Sequence, residues 1–158
     1  MSEVGRRTGG WLSKSAALPA VMVVAVVASV SGCRNDDVEL VEVTGNVTLD
    51  GEPLPEATVR FLPIVTGDEP ARPSSAVTND EGEFALGYST TKQGARLGNY
   101  RVYISTFRNP EPGLPGKPET VPLCYNKETT LTEEVTPEQH EFTFNLESDA
   151  GKIVQPRY

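Results

Sequence analysis

From Val41 to Phe61 the chain alternates apolar and polar residues with period two, and that alternation leaves few folds open to it. In Val41-Glu-Val-Thr-Gly-Asn-Val-Thr-Leu49, Val41, Val43, Val47 and Leu49 share one face with Gly45 between them, while Glu42, Thr44, Asn46 and Thr48 share the other. This is the pattern of a strand buried on one side. Asp50-Gly51-Glu52-Pro53-Leu54-Pro55 follows. Gly51 accepts a positive φ and the two prolines cannot continue a ladder, so a reversal is expected there. A second strand comes at once, with Ala57, Val59 and Phe61 inward and Thr58 and Arg60 toward water.

The same reasoning extends along the chain. Ser75 to Thr78 and Glu83 to Leu86 are expected as strands, joined as a hairpin through Asn79-Asp80-Glu81-Gly82. Asp80, Glu81 and Glu83 are too few and too local to supply the six or more oxygens that calcium takes, so the acidic turn reads as a plain turn. Asn99 to Phe107 is a long strand: Tyr100, Val102, Ile104 and Thr106 share one face, Arg101, Tyr103, Ser105 and Phe107 the other. Leu123-Cys124-Tyr125 reads as a short edge segment. Leu131 to Val135 and Glu141 to Glu147 close the set, with Phe142, Phe144 and Leu146 inward, and Asp149 to Tyr158 reads as a frayed tail. Short strands separated by turn signals give an all-β expectation, a seven-stranded Greek-key β-sandwich over residues 41–147 with a flexible tail at 148–158.

Two features of this domain bear on function. Tyr103 and Phe107 lie on the nominally wet face, either covered by the neighbouring loop or part of a contact surface. That loop, Asn109 to Pro122, carries Pro110, Pro112, Pro115, Pro118 and Pro122 with Gly113 and Gly116. A structureless loop of this length inside a compact domain is either a binding loop or a mobile flap. Tyr103, Phe107, Pro112 and Leu114 are therefore the candidate partner-contact residues.

The first 32 residues are of another kind. Arg6, Arg7 and Lys14 make a basic start, Ala16 to Val30 is an apolar run broken only by Pro19 and Ser29, and Val30-Ser31-Gly32-Cys33 ends it with small residues and a cysteine. The combination resembles a bacterial lipoprotein signal peptide with its lipobox, which implies cleavage before Cys33, lipid on its thiol, and a tether over 33–40. An uncleaved transmembrane helix is the competing reading, since Leu12 to Val30 nearly reaches the roughly 20 residues that a bilayer core requires. Ser13, Lys14 and Ser15 interrupt that stretch. Arg34 follows the cysteine; an aspartate there would signal inner-membrane retention in enteric bacteria, so the outer membrane is favoured.

Removing Met1 to Gly32 takes away Arg6, Arg7, Lys14 and Glu3, so that of 14 basic and 22 acidic residues 11 and 21 remain, a formal charge near −10. So acidic a surface repels phosphate backbones and anionic headgroups, which disfavours nucleic acid and leaves membrane attachment to acyl chains. With Cys33 lipidated, Cys124 has no intrachain partner and the core must stabilise the fold alone; an unlipidated Cys33 would leave a Cys33 to Cys124 bridge as the rival.

Three local pieces sharpen the fold expectation. Gly45-Asn-Val-Thr-Leu-Asp-Gly-Glu-Pro-Leu-Pro-Glu-Ala-Thr-Val-Arg-Phe61, Thr78-Asn-Asp-Glu-Gly-Glu-Phe84 and Gly98-Asn-Tyr-Arg-Val102 resemble, in order and spacing, the carboxypeptidase regulatory-like domains, whose fold is similar to transthyretin. Val121-Pro-Leu-Cys-Tyr-Asn126 resembles a segment of small bacterial lipoproteins of this kind. Glu56 stands where the family has glycine, and Cys124 where it has lysine. The resemblance implies a module without catalytic residues of its own. His140 is the sole histidine, so no His-rich metal site can be built within one chain, and no cofactor is expected. The expectation is a non-catalytic binding or structural module at the cell envelope, with an envelope protein or polysaccharide as partner. The alternative is an envelope hydrolase whose site assembles across subunits.

Overall fold

The computed structural model describes residues 39–65 and 72–156. The signal segment 1–32, Cys33 and most of the tether lie outside the described residues, as does the loop stretch 66–71. No helix among the described residues is long and apolar enough to cross a membrane.

Strand β1 (Thr44–Leu49) reverses at Asp50 and Gly51, whose φ values of 54° and 85° are both left-handed, the hairpin geometry that matches strand twist. It returns as β2 (Glu52–Pro53), with Pro53 opposite Thr48. The Leu54 N–H donates to the Val47 carbonyl at 3.0 Å, which places Pro53 at a non-hydrogen-bonded position where a missing N–H costs nothing. The proline thus enters a ladder it was expected to end, and the described strands number eight rather than seven. The others are β3 (Thr58–Pro63), β4 (Ser74–Val77), β5 (Glu83–Ala85), β6 (Gly98–Ser105), β7 (Thr132–Val135) and β8 (Glu141–Leu146). Leu123–Tyr125, expected as an edge segment, is a 3₁₀ turn.

The described residues are all-β in two sheets. In the first, β8 runs parallel to β1 along all six of its residues, and β5 and β2 divide the opposite edge of β1 as antiparallel partners. The second sheet is antiparallel in the order β4-β3-β6-β7. β4 and β5 therefore belong to different sheets and are not the hairpin that the tight turn between them implies. The cause lies in that turn. Gly82, at φ 78°, comes so close to β1 that a Cβ on it would sit 2.4 Å from the Val47 carbonyl oxygen, and the Val47 N–H donates to the Gly82 carbonyl at 2.8 Å. β5 is drawn onto β1, and the chain meets β4 again past the strand, where Ser75 and Gly87 exchange backbone hydrogen bonds of 3.0 and 2.9 Å.

The inward residues of both sheets meet in one interior, Val43, Val47, Val59, Phe61, Phe84, Val102, Ile104, Phe142 and Phe144 among them. Phe61 is fully buried, with its ring centroid 5.4 to 6.3 Å from those of Tyr100, Phe142 and Phe144, the tilted spacing aromatic rings favour. Gly45 makes room for this cluster. A Cβ there would lie 2.1 Å from the Phe142 carbonyl oxygen and 2.6 Å from the Phe84 ring.

One inward position is charged. Glu133 on β7 faces Tyr100 across the ladder, on the same side as Val135, and desolvation holds its carboxyl above the ordinary glutamate range. An acid turned inward on an edge strand discourages further strands from pairing there.

Candidate contact surface

The proline-rich stretch is not structureless. Arg108 and Lys117 exchange backbone hydrogen bonds of 3.0 and 2.9 Å, and Glu111 and Leu114 exchange two of 2.9 Å. Pro112 and Gly113 are the two residues of the reversal. Proline first and a glycine at φ 83° second is the type II turn, so residues 108–117 form a narrow hairpin arm.

Two carboxylates fix the arm to the sandwich. Glu56 has φ 54°, a left-handed backbone that an L side chain adopts at a cost of about 1–2 kcal/mol. Its carboxylate pairs with Arg108 Nη1 at 3.2 Å and Lys117 Nζ at 3.4 Å, while Lys117 Nζ also donates to the Pro55 carbonyl at 2.8 Å. Hydrogen bonds from Arg108 first and Lys117 second hold the Glu56 carboxyl below its ordinary value.

Glu119, on the return side, is buried. One of its oxygens accepts the Ser105 hydroxyl; the other accepts the backbone N–H groups of Thr106, Thr120 and Val121 at 3.0, 3.1 and 3.0 Å. A buried carboxylate is tolerable only when so fully bonded. It also explains why Ser105, expected on the wet face, is buried. The Glu119 backbone is clasped in turn by Gln155, whose amide oxygen accepts its N–H at 2.9 Å and whose amide nitrogen donates to its carbonyl at 2.8 Å. The Leu123 N–H donates to the Lys152 carbonyl at 2.9 Å. The segment expected to fray is thus bonded to the domain as far as Gln155.

The four candidate contact residues separate into three places. Phe107, half-buried, lines a cleft of about 380 Å³ at the base of the arm, with Pro110, Pro118 and Pro156 around it. Pro112 and Leu114 are exposed at the tip, Leu114 with 43% of its surface accessible. Tyr103 stands apart, half-buried on the outer face of the second sheet and opposite Arg60. Cys124 is a free, half-buried thiol whose Sγ lies 3.8 Å from the Ala150 carbonyl oxygen. His140 is exposed at the start of β8, and its carbonyl accepts the Thr44 N–H at 3.0 Å. Among the described residues no group of three or more His, Cys, Asp or Glu is placed to hold a metal ion.

The residues missed from sequence are Glu119 and its partners. The available signal was a lone acid in Pro118-Glu-Thr-Val-Pro122, flanked by residues that do not suit water as well as it does. Compared with known proteins, the chain matches no family model, no curated protein and no solved structure.

Proposed function

We propose that the chain is a lipoprotein of the bacterial cell envelope, cut ahead of Cys33 and held in the membrane, the outer membrane by preference, by acyl chains on that thiol. Its domain is a non-catalytic binding or structural module of the Greek-key, transthyretin-like and carboxypeptidase regulatory-like type. The way the chain alternates between sheets, with its first and last strands parallel neighbours, supports that type.

The observation that carries the functional reading is the arm. A hairpin tied down by Glu56 on one side and Glu119 on the other, with Pro112, Gly113 and Leu114 exposed at its tip, is a preorganised contact element, and preorganisation lowers the entropic cost of binding. The buried carboxylate near it is engaged in holding backbone. An envelope protein or polysaccharide is the partner this surface suits.

Three measurements test the reading. Intact mass of the native protein is expected to give a chain that begins at a diacylglyceryl-modified Cys33, and Cys33→Ala is expected to release the unlipidated protein from the membrane fraction; a variant that stays membrane-bound with an uncleaved start would overturn the lipoprotein reading. Replacing Pro112-Gly113-Leu114 by Ser-Gly-Ser is expected to abolish partner capture in crosslinked envelopes. An unchanged partner set, or substrate turnover that disappears with His140→Ala, would overturn the module reading.

A further inference from the structure

The two outer faces of the sandwich differ in charge. On the second sheet Arg60 lies directly opposite Tyr103, and Arg101 lies two residues further along β6, opposite Leu62. Both arginines are exposed, and neither forms an ion pair or side-chain hydrogen bond with a described residue. In a chain with 22 acidic and 14 basic residues, two unpaired guanidinium groups flanking a phenol ring give this face a net positive charge, with exposed Glu134 on β7, opposite Asn99, the one acid at the outward strand positions of this sheet. Arginine and tyrosine are also the side chains that most often anchor protein interfaces.

The outward positions of the first sheet are Thr44, Asn46 and Thr48 on β1, Glu83 and Ala85 on β5, and Glu141, Thr143 and Asn145 on β8. None is basic. Glu83 and Glu141 flank a shallow depression of about 550 Å³ floored by Thr44 and Asn46. Among the described residues the one side-chain partner of Glu83 is the neutral amide of Asn79, at 3.1 Å, which does not cancel its charge.

The spacings are compatible. Arg60 and Arg101 sit diagonally on neighbouring strands, with Cα atoms about 8 Å apart. Glu83 and Glu141 lie on strands either side of β1 with a two-residue offset, about 12 Å apart by strand spacing and rise. Arginine side chains splay across that difference. We infer that the second sheet's outer face docks onto the first sheet's outer face of another copy of this chain. Arg60 and Arg101 then meet Glu83 and Glu141, and the Tyr103 ring enters the depression over Asn46. Because the two faces are different, the contact is head-to-tail and does not close on itself, so it builds short open stacks.

Sedimentation equilibrium of the full chain in density-matched nonionic detergent, with micelles in excess of protein, tests this. The expected result is association that strengthens with concentration and weakens at least about tenfold between about 0.05 and 0.5 M NaCl, as screening shortens the reach of the charges. The double variants Arg60→Glu/Arg101→Glu and Glu83→Lys/Glu141→Lys should each stay monomeric where the parent associates, with unchanged circular dichroism. An equimolar mixture of the two should associate again, since each supplies the charge the other has lost. A parent chain that is monomeric at every concentration overturns the inference, and so does a mixture that fails to recover. A monomer that binds an acidic polysaccharide through Arg60 and Arg101 overturns it too and assigns the patch to that ligand.

Discussion

The interior of the sandwich and the base of the arm are held by different means. Around Phe61 the contacts are apolar and aromatic, and they come from strands whose inward residues recur every second position. Around Glu119 the contacts are hydrogen bonds from Ser105, Thr106, Thr120 and Val121, on a segment with no period. The first kind is collective and tolerates small losses. The second concentrates many bonds on one carboxylate, so a single change there is expected to loosen the whole base of the arm.

Substitutions separate the two regions, and the largest effect belongs to the interior. Phe61→Ala removes the ring on which three others pack and is expected to cost about 3–5 kcal/mol, read by denaturant unfolding. Gly45→Val overfills the same place and should cost about 1–3 kcal/mol or more. Glu119→Ala strands the donors that converge on it and should cost about 3 kcal/mol. Its signature is local: amide exchange should quicken at Thr106, Thr120, Val121 and Leu123 before the core strands respond. If all amides respond equally, the arm and the sandwich are one cooperative unit.

Glu56→Gln is expected to leave the unfolding midpoint unchanged while exchange quickens at the Arg108 and Lys117 amides, because an exposed ion pair contributes little to global stability. The folded value of the Glu56 carboxyl is lowered from 4.5, so its contribution is complete above that pH and is lost as pH falls through the lower folded value. Protection of the arm amides should follow that fall. Glu133 has the opposite sign. Its folded value is raised, so the folded state binds the extra proton and stability declines as pH rises through it. Glu133→Gln should modestly raise the midpoint at neutral pH, and the gain should vanish below the ordinary glutamate range.

This division also explains what could be read from the amino acids. β1, β3, β6 and β8 each bury alternate residues on a sheet with one dry face, so period two located them and their inward sets. The turn at Asn79 to Gly82 was legible as a turn, but a turn does not state which sheet receives the next strand; that is decided by the close approach of Gly82 to Val47. The arm was legible only as proline and glycine. Its registration at Arg108 and Lys117 depends on distant Glu56, and the docking of Gln155 depends on Glu119. Pairings of that kind leave no local trace. Tyr103 and Phe107 stand out for their unusual face, and cover by the neighbouring loop is one of the two readings that face allows; Phe107 lies at the base of the arm, but nothing along the chain indicates that Tyr103 lies beside Arg60 instead.

The parallel pairing of β8 with β1 has a mechanical corollary. Traction applied ahead of Thr44 and beyond Leu146 is directed along two strands that point the same way, so the evenly spaced slanted bonds between them are loaded in shear, all at once. An antiparallel arrangement at the same place would let those bonds peel apart one after another. A body tugged between its two chain ends would accordingly yield late and abruptly.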